Sequence, residues 1–307
     1  MSAPALYLIQ GQYSVSGSQV VENLRVPQDQ CKFTCREKIY PDGSAEVLIC
    51  DRPIFGPSGW EPEKGQKKVS HKRDTQPDPA NVQRAARRAR ARLRELALCN
   101  DFQVFVTLTL DKREIDRYDP AQVVRKMSTW CDNHVRRDGL RYILVPEHHK
   151  DGAIHFHGFM GWDSPETAGK WCRDSGTVSL PGRKKPVKVR SAAHRAKLIA
   201  QGGHPVYNLP KWSLGFTTAV ELYGDYHQAV TYVCKYVGKE VGDGGAGGKI
   251  GGRWFYHGGC HGEPEVYYSN QMVRDFEGYP GAYFFNVPEA GLSFCRIIKE
   301  VPNYNVR

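Results

Sequence analysis

"RYILVPEHHKDGAIHFHGFM", residues 141–160, is the stretch on which the fold turns. Two apolar-rich runs, RYILVPE and AIHFHGFM, flank a turn around Lys150, Asp151 and Gly152, the pattern of two strands folded back on each other. Within the second run His155 and His157 are two apart, and residues i and i+2 of a strand share a face. Two imidazoles would therefore project side by side, as ligands of a divalent metal commonly do. The plainer alternative is a pair of half-exposed strand histidines.

Working outward, "DFQVFVTLTLD" (101–111) alternates cleanly. Phe105, Thr107 and Thr109 take one face; Val104, Val106, Leu108 and Leu110 take the other. A helix is predicted over about 120–138, opened by Asp119 and Pro120. Residues 163–205 look like an insertion with a short helix at 191–201, and GFTTAVEL (215–222) is another strand. Asp225 caps a predicted helix running to about Glu240. Helices alternating with hairpin-joined strands predict an α+β fold, a mainly antiparallel sheet with helices on one face. Residues 1–60 form a strand-rich N-terminal segment, and 61–99 a basic linker with an arginine helix. The core is expected over 100–245, with strands over 246–307 completing or flanking it.

Composition restricts the partners. The 307 residues carry 43 Lys and Arg against 33 Asp and Glu, a net charge of +10. Basic residues crowd into KGQKKVSHKR (64–73) and PGRKKPVKVR (181–190), which holds Arg183, Lys184 and Lys185. NVQRAARRARARLRELAL (81–98) reads as a helix whose apolar stripe is Val82, Ala85, Ala86, Ala89, Leu93 and Leu96. Arg84, Arg87, Arg88, Arg90, Arg92 and Arg94 fan over the rest against a single acid, Glu95. Such a surface suits a polyphosphate backbone, so Arg84, Arg87, Arg88 and Arg90 join the basic 183–185 triplet as expected DNA contacts. No stretch approaches the roughly 20 apolar residues of a membrane span, and the start, MSAPALYLIQGQYSV, lacks the basic segment of a signal peptide. No membrane association and a cytoplasmic location are expected. Nine cysteines in no secreted-scaffold pattern fit reduced thiols. Cys31, Cys35 and Cys50 offer three ligands for a small zinc site, without a clear fourth.

"YVCKYVGKE" (232–240) falls on the helix after Asp225. At 100° per residue Tyr232, Tyr236, Lys235 and Lys239 share a face beside the apolar stripe. Tyrosines four apart lie one turn apart. A phenol with a pKa of about 10 is about one part in a thousand ionised at pH 7, so forming phenolate costs about 4 kcal/mol. Flanking lysines help offset that cost. A metal on His155 and His157 would polarise a phosphodiester in front of the phenols. The combined chemistry is transesterification of a phosphodiester by tyrosine.

FVTLTL (105–110), HFH (155–157) and YVCKYVGK (232–239) together resemble the three ordered motifs of HUH endonucleases. The resemblance is nearest to the rolling-circle replication initiators of phages and plasmids, in their two-tyrosine branch. It implies a ferredoxin-like (RRM-like) antiparallel core and one Mg²⁺ or Mn²⁺ ion. It also implies nicking and joining of a single-stranded or extruded origin in a bacterial host cell, through a 5′-phosphotyrosine. Tyr232 and Tyr236 would attack in turn, aided by Lys235 and Lys239. In many relatives an upstream acidic or polar residue completes the metal site, and Glu147 matches that position. Glu147 faces His155 only if the hairpin loop has an odd number of residues, such as Lys150 to Gly152; a two-residue loop would bring His148 there instead. The preference of a hard ion for oxygen favours Glu147 over His148, and His149 is assigned to the surface.

GDGGAGGKIGG (242–252) fails the P-loop pattern, because Asp243 replaces its first glycine and Ile250 its Ser or Thr. A host helicase would have to unwind, and a host polymerase would extend the freed 3′ end. Competing readings are a transposase or relaxase with the same core, a non-catalytic RRM-like nucleic-acid binder, and a zinc hydrolase.

Overall fold

The computed structural model describes residues 14–15, 32–55, 79–183, 185–222, 224, 226–239, 249–279, 281–287 and 292–297. The chain divides into two compact units, one made of residues 1–75 with 262–307 and the other of residues 76–261.

The second unit is built on β4 (Val104–Leu110), β5 (Arg141–His148), β6 (Ile154–Gly161), β7 (Arg173–Ser179), β8 (Val187–Lys188), β9 (His204–Asn208), β10 (Gly215–Glu221) and β11 (Tyr256–Gly258). They form one sheet in the order β11-β5-β6-β4-β10-β9-β7-β8, with every neighbour antiparallel. Residues 163–205 are therefore more than an appendage, since β7, β8 and β9 extend the same sheet past β10.

Helix α2 (Pro120–Asp138) starts where Asp119 accepts a hydrogen bond from the Ala121 amide and stops at Gly139, whose φ of 63° suits glycine. Its buried Val123, Met127, Trp130 and Cys131 pack on Val104, Val106, Leu108 and Leu110, the apolar face that the alternation of β4 predicts. The opposite face meets α5 (Tyr226–Tyr236): Phe105 packs edge-on to Tyr232, and His157 stacks on Tyr236. Helices thus cover both faces, not one. The periodicity of a helix fixes which of its own sides is apolar, but not which side of a sheet receives it.

Helix α1 (Pro79–Leu98) packs on α5 and buries Ala86, Leu93 and Leu96 of its predicted stripe. Leu93 is wholly buried, so Leu93→Ala is expected to cost about 2–5 kcal/mol. Helices α3 (Pro165–Trp171) and α4 (Ala192–Ala200) complete this unit.

The first unit joins both ends of the chain. Strands β1 (Ser14–Val15), β2 (Lys32–Ile39), β3 (Ala45–Phe55), β12 (Glu265–Ser269), β13 (Ala282–Val287) and β14 (Leu292–Ile297) form a sheet ordered β1-β12-β2-β3-β14-β13. Of the strands expected beyond residue 246 to complete or flank the core, only β11 pairs with it; the others pair with the N-terminal segment. Cys35, Val47, Ile49, Phe276, Cys295 and Ile297 make the small core of this unit.

Candidate active site

The β5–β6 hairpin sets the site through its register. His149 donates its amide to the Ala153 carbonyl, leaving a three-residue loop, Lys150 to Gly152, in which Gly152 takes a φ of 84°. With an odd loop, Glu147 pairs with His155 and Val145 with His157. A slip of one residue would turn Glu147 to the other face. His148 pairs with Ile154 and bonds the Gly152 carbonyl, outside the cluster. His149 is exposed and bonds Asp151.

His155 Nε2 and His157 Nε2 are 2.9 Å apart, and one Glu147 oxygen lies 3.4 Å from the first and 3.3 Å from the second. Ligands about 2.1 Å from an octahedral ion sit roughly 3 Å from one another, so the three donor atoms fit one face of such an ion. Two nitrogens and a carboxylate oxygen suit a divalent metal. Glu147, His155 and His157 are the one such group among the described residues. Cys35 and Cys50 are free thiols belonging to no such group, and Cys31 lies outside the described residues.

The surroundings hold these ligands in place. Thr107 Oγ1 lies 3.0 Å from His157 Nδ1 and fixes that ring's orientation, which the sequence reading did not assign to it. The alternating threonines of FVTLTL were the available signal. His155 Nδ1 is buried without a partner among the described residues. Burial alone would raise the Glu147 carboxyl, but bonds from His155, His157 and Lys239, with the Lys239 charge, hold it well below the usual carboxylate range.

The two phenols meet above the histidines. Tyr236 stacks on His157 with ring centroids 4.3 Å apart and donates its hydroxyl to that of Tyr232 at 2.5 Å. Burial, the bond to Tyr232 and the Glu147 carboxylate push the Tyr236 phenol above the ordinary tyrosine range. Tyr232 is 48% exposed, with its oxygen as the acceptor.

The helix ends earlier than its pattern predicts. Gly238 at a φ of 74° turns the chain, and Lys239 leaves the helical face to form an ion pair with Glu147. Lys235 stays on the helix, exposed. Asp225 and residues 240–248 lie outside the described residues.

The expected DNA contacts are not gathered at the site. Arg84, Arg87 and Arg88 are exposed on α1, whereas Arg90 donates to the Val237 carbonyl at 2.9 Å and Arg94 to the Thr231 hydroxyl at 3.1 Å. Arg90 and Arg94 therefore brace the tyrosine helix. Arg183 and Lys185 are exposed in the β7–β8 turn, and Lys184 lies outside the described residues.

Residues 103–241 match the model of one protein family, the replication-associated proteins of the ORF2 type. The match covers less than half of the chain and takes in every residue of the cluster and both tyrosines. It supports a role in DNA replication of the rolling-circle initiator kind, with DNA as the implied partner. No curated protein and no solved structure gives a significant match. No helix among the described residues is long and apolar enough to cross a membrane.

Proposed function

We propose that the chain is a rolling-circle replication initiator of the HUH type, which nicks and rejoins single-stranded origin DNA through a phosphotyrosine. The observation that carries this reading is the convergence of Glu147, His155 and His157 beneath two phenol oxygens in mutual contact. The strand order β5-β6-β4-β10, with β6 between the parallel β4 and β5, supports the ferredoxin-like core.

Glu147, His155 and His157 would hold one Mg²⁺ or Mn²⁺, which supplies Lewis-acid polarisation of the phosphodiester when bound. Tyr232 is the first nucleophile. Its oxygen accepts the Tyr236 hydroxyl, a bond that favours phenolate at Tyr232, while Tyr236 is held in its neutral form. The Tyr232 oxygen bonds to phosphorus as the P–O3′ bond breaks. The proton leaves Tyr232 and the 3′ oxygen departs as a hydroxyl, leaving the 5′-phosphate on the enzyme. Tyr236 then waits in hydrogen-bond reach for a second cleavage. Lys239 neutralises Glu147 and, swung away, would meet the phosphate. The freed 3′-hydroxyl primes a host polymerase, and a host helicase unwinds.

Incubation with single-stranded oligonucleotides tiled over the replicon that encodes the protein, in Mn²⁺, tests this on a denaturing gel. A covalent adduct is expected, lost in Tyr232→Phe and retained in part by Tyr236→Phe. No adduct with any oligonucleotide would overturn the reading; an adduct mapped to Tyr236 alone would reverse the order of attack.

A further inference from the structure

Register carries the face of the ligands outward across the sheet. Glu147 pairs with His155, His155 with Thr109, and Thr109 with Phe216 of β10, so these four side chains form one row on one face. The next row runs Val145, His157, Thr107 and Thr218. The pairing of Ala219 with Tyr207 brings Asn208 beside Thr218, and Asn208 pairs with Arg173 of β7. Helix α5 contacts β5 and β6 on this face, which leaves the β10 end uncovered. Phe216 is 63% exposed there, and Thr109, Thr218, Asn208 and Arg173 are exposed around it.

We infer that this uncovered face is a binding track for single-stranded DNA, with Phe216 as a platform on which one base stacks. Strands spaced about 4.8 Å apart put the Phe216 backbone roughly 10 Å from that of His155, a reach of one to three nucleotides. A phenylalanine standing alone among hydroxyls, an amide and a guanidinium offers no apolar patch for a protein partner. It does offer a ring to an unpaired base, with polar groups for sugar and phosphate beside it. A duplex hides its base faces and would gain nothing from the ring. The charge agrees: residues 163–205, which extend this sheet, hold nine Lys and Arg against three Asp and Glu.

The orientation of the track relies on the nuclease reading of the cluster, but its test does not. Binding of a fluorescein-labelled mixed-sequence 20-nucleotide single strand to the full chain in EDTA is measured by anisotropy, beside a duplex of the same sequence. Phe216→Ala should weaken single-strand binding roughly tenfold, leave duplex binding within twofold, and leave the salt dependence unchanged because stacking releases no counterions. Phe216→Trp should bind at least as well as the parent. Unchanged single-strand affinity in Phe216→Ala overturns the platform even where adduct formation with Tyr232 persists. A change of oligomeric state in Phe216→Ala without loss of DNA affinity overturns it in favour of a self-contact. Loss of affinity in a protein that forms no adduct on any oligonucleotide upholds the track and refutes the nuclease reading alone.

Discussion

Two strand glutamates, one in each unit, meet opposite fates. Glu147 is close to buried yet holds its charge, because two histidines and a lysine surround it. Glu37, in the middle of β2, is 1% exposed, and neither carboxyl oxygen has a hydrogen-bond partner among the described residues. Burial raises its carboxyl to about 7. The titratable groups that act on one another across this pocket are Cys35, Tyr267, Tyr279 and Cys295, none of them cationic. Partners decide whether a carboxylate in a sheet becomes a ligand or a strained acid; burial only sets how much the answer matters.

The comparison is broken most violently at the partnered end. Replacing both His155 and His157 by Ala should lower adduct formation at least roughly 10³-fold, the several kcal/mol that charge stabilisation by an ion is worth. Single-strand affinity should stay within a few-fold, since phosphate contacts dominate it. Glu37→Gln should leave adduct formation within twofold. Nicking by the double-histidine variant in chelator at the parent rate would remove the metal role.

The unpartnered end is tested by pH. Glu37 titrates near 7 in the folded chain against about 4.5 when unfolded, so between those values the folded state binds more protons. Its stability contribution is intact below pH 4.5 and falls as pH rises through 7, by up to about 3 kcal/mol from 1.36 kcal/mol per unit. Glu37→Gln is neutral throughout, so its urea-unfolding free energy should lose that slope and gain on the parent by about 3 kcal/mol between pH 4.5 and 8. Parallel curves would mean that Glu37 is satisfied after all.

Between these extremes stands Thr107, which orients a ligand without being one. Thr107→Val keeps the volume and removes the oxygen from His157 Nδ1. Mn²⁺ titration of adduct formation should show affinity or activity lowered roughly tenfold. No change would make the contact incidental.

Legibility followed the same division. The hairpin register was readable as a condition, because loop parity decides which residue faces His155, and the glycine at 152 allows the odd loop. The alternation of β4 and the stripe of α1 were readable because apolar periodicity reports burial directly. Glu37 was passed over. In KFTCREKI it alternates with Cys35 and Ile39, which placed a charge on an inward face, but nothing nearby marked it as chemistry. The strands of 163–205 escaped because short polar edge strands lack the pattern of a buried one. Helix α5 was drawn too long because Gly238, not the heptad-like spacing of its lysines, decides where it stops.

The smallest effect divides one helix in the way the two glutamates divide the chain. Arg90 and Arg94 are committed to the Val237 carbonyl and the Thr231 hydroxyl, so they fix α5, and the tyrosines with it, over the sheet. Arg87 and Arg88 stand in solvent, and Arg84 bonds Asn81 one turn back on the same helix. Only the second set can give its charge to a phosphate without releasing a structural bond. Arg84, Arg87 and Arg88 replaced by Ala should therefore lower the slope of log affinity against log salt by roughly 0.7 for each single-strand phosphate no longer neutralised, up to about 2 in all, with unfolding unchanged. Arg90→Ala should do the reverse, costing about 1–3 kcal/mol of stability for the carbonyl left behind while the salt slope stays put. An unchanged slope in the triple variant would make the exposed arginines an ordinary solvated face. A reduced slope in Arg90→Ala alone would mean that the brace and the DNA contact are one residue, and that the division drawn along α1 is wrong.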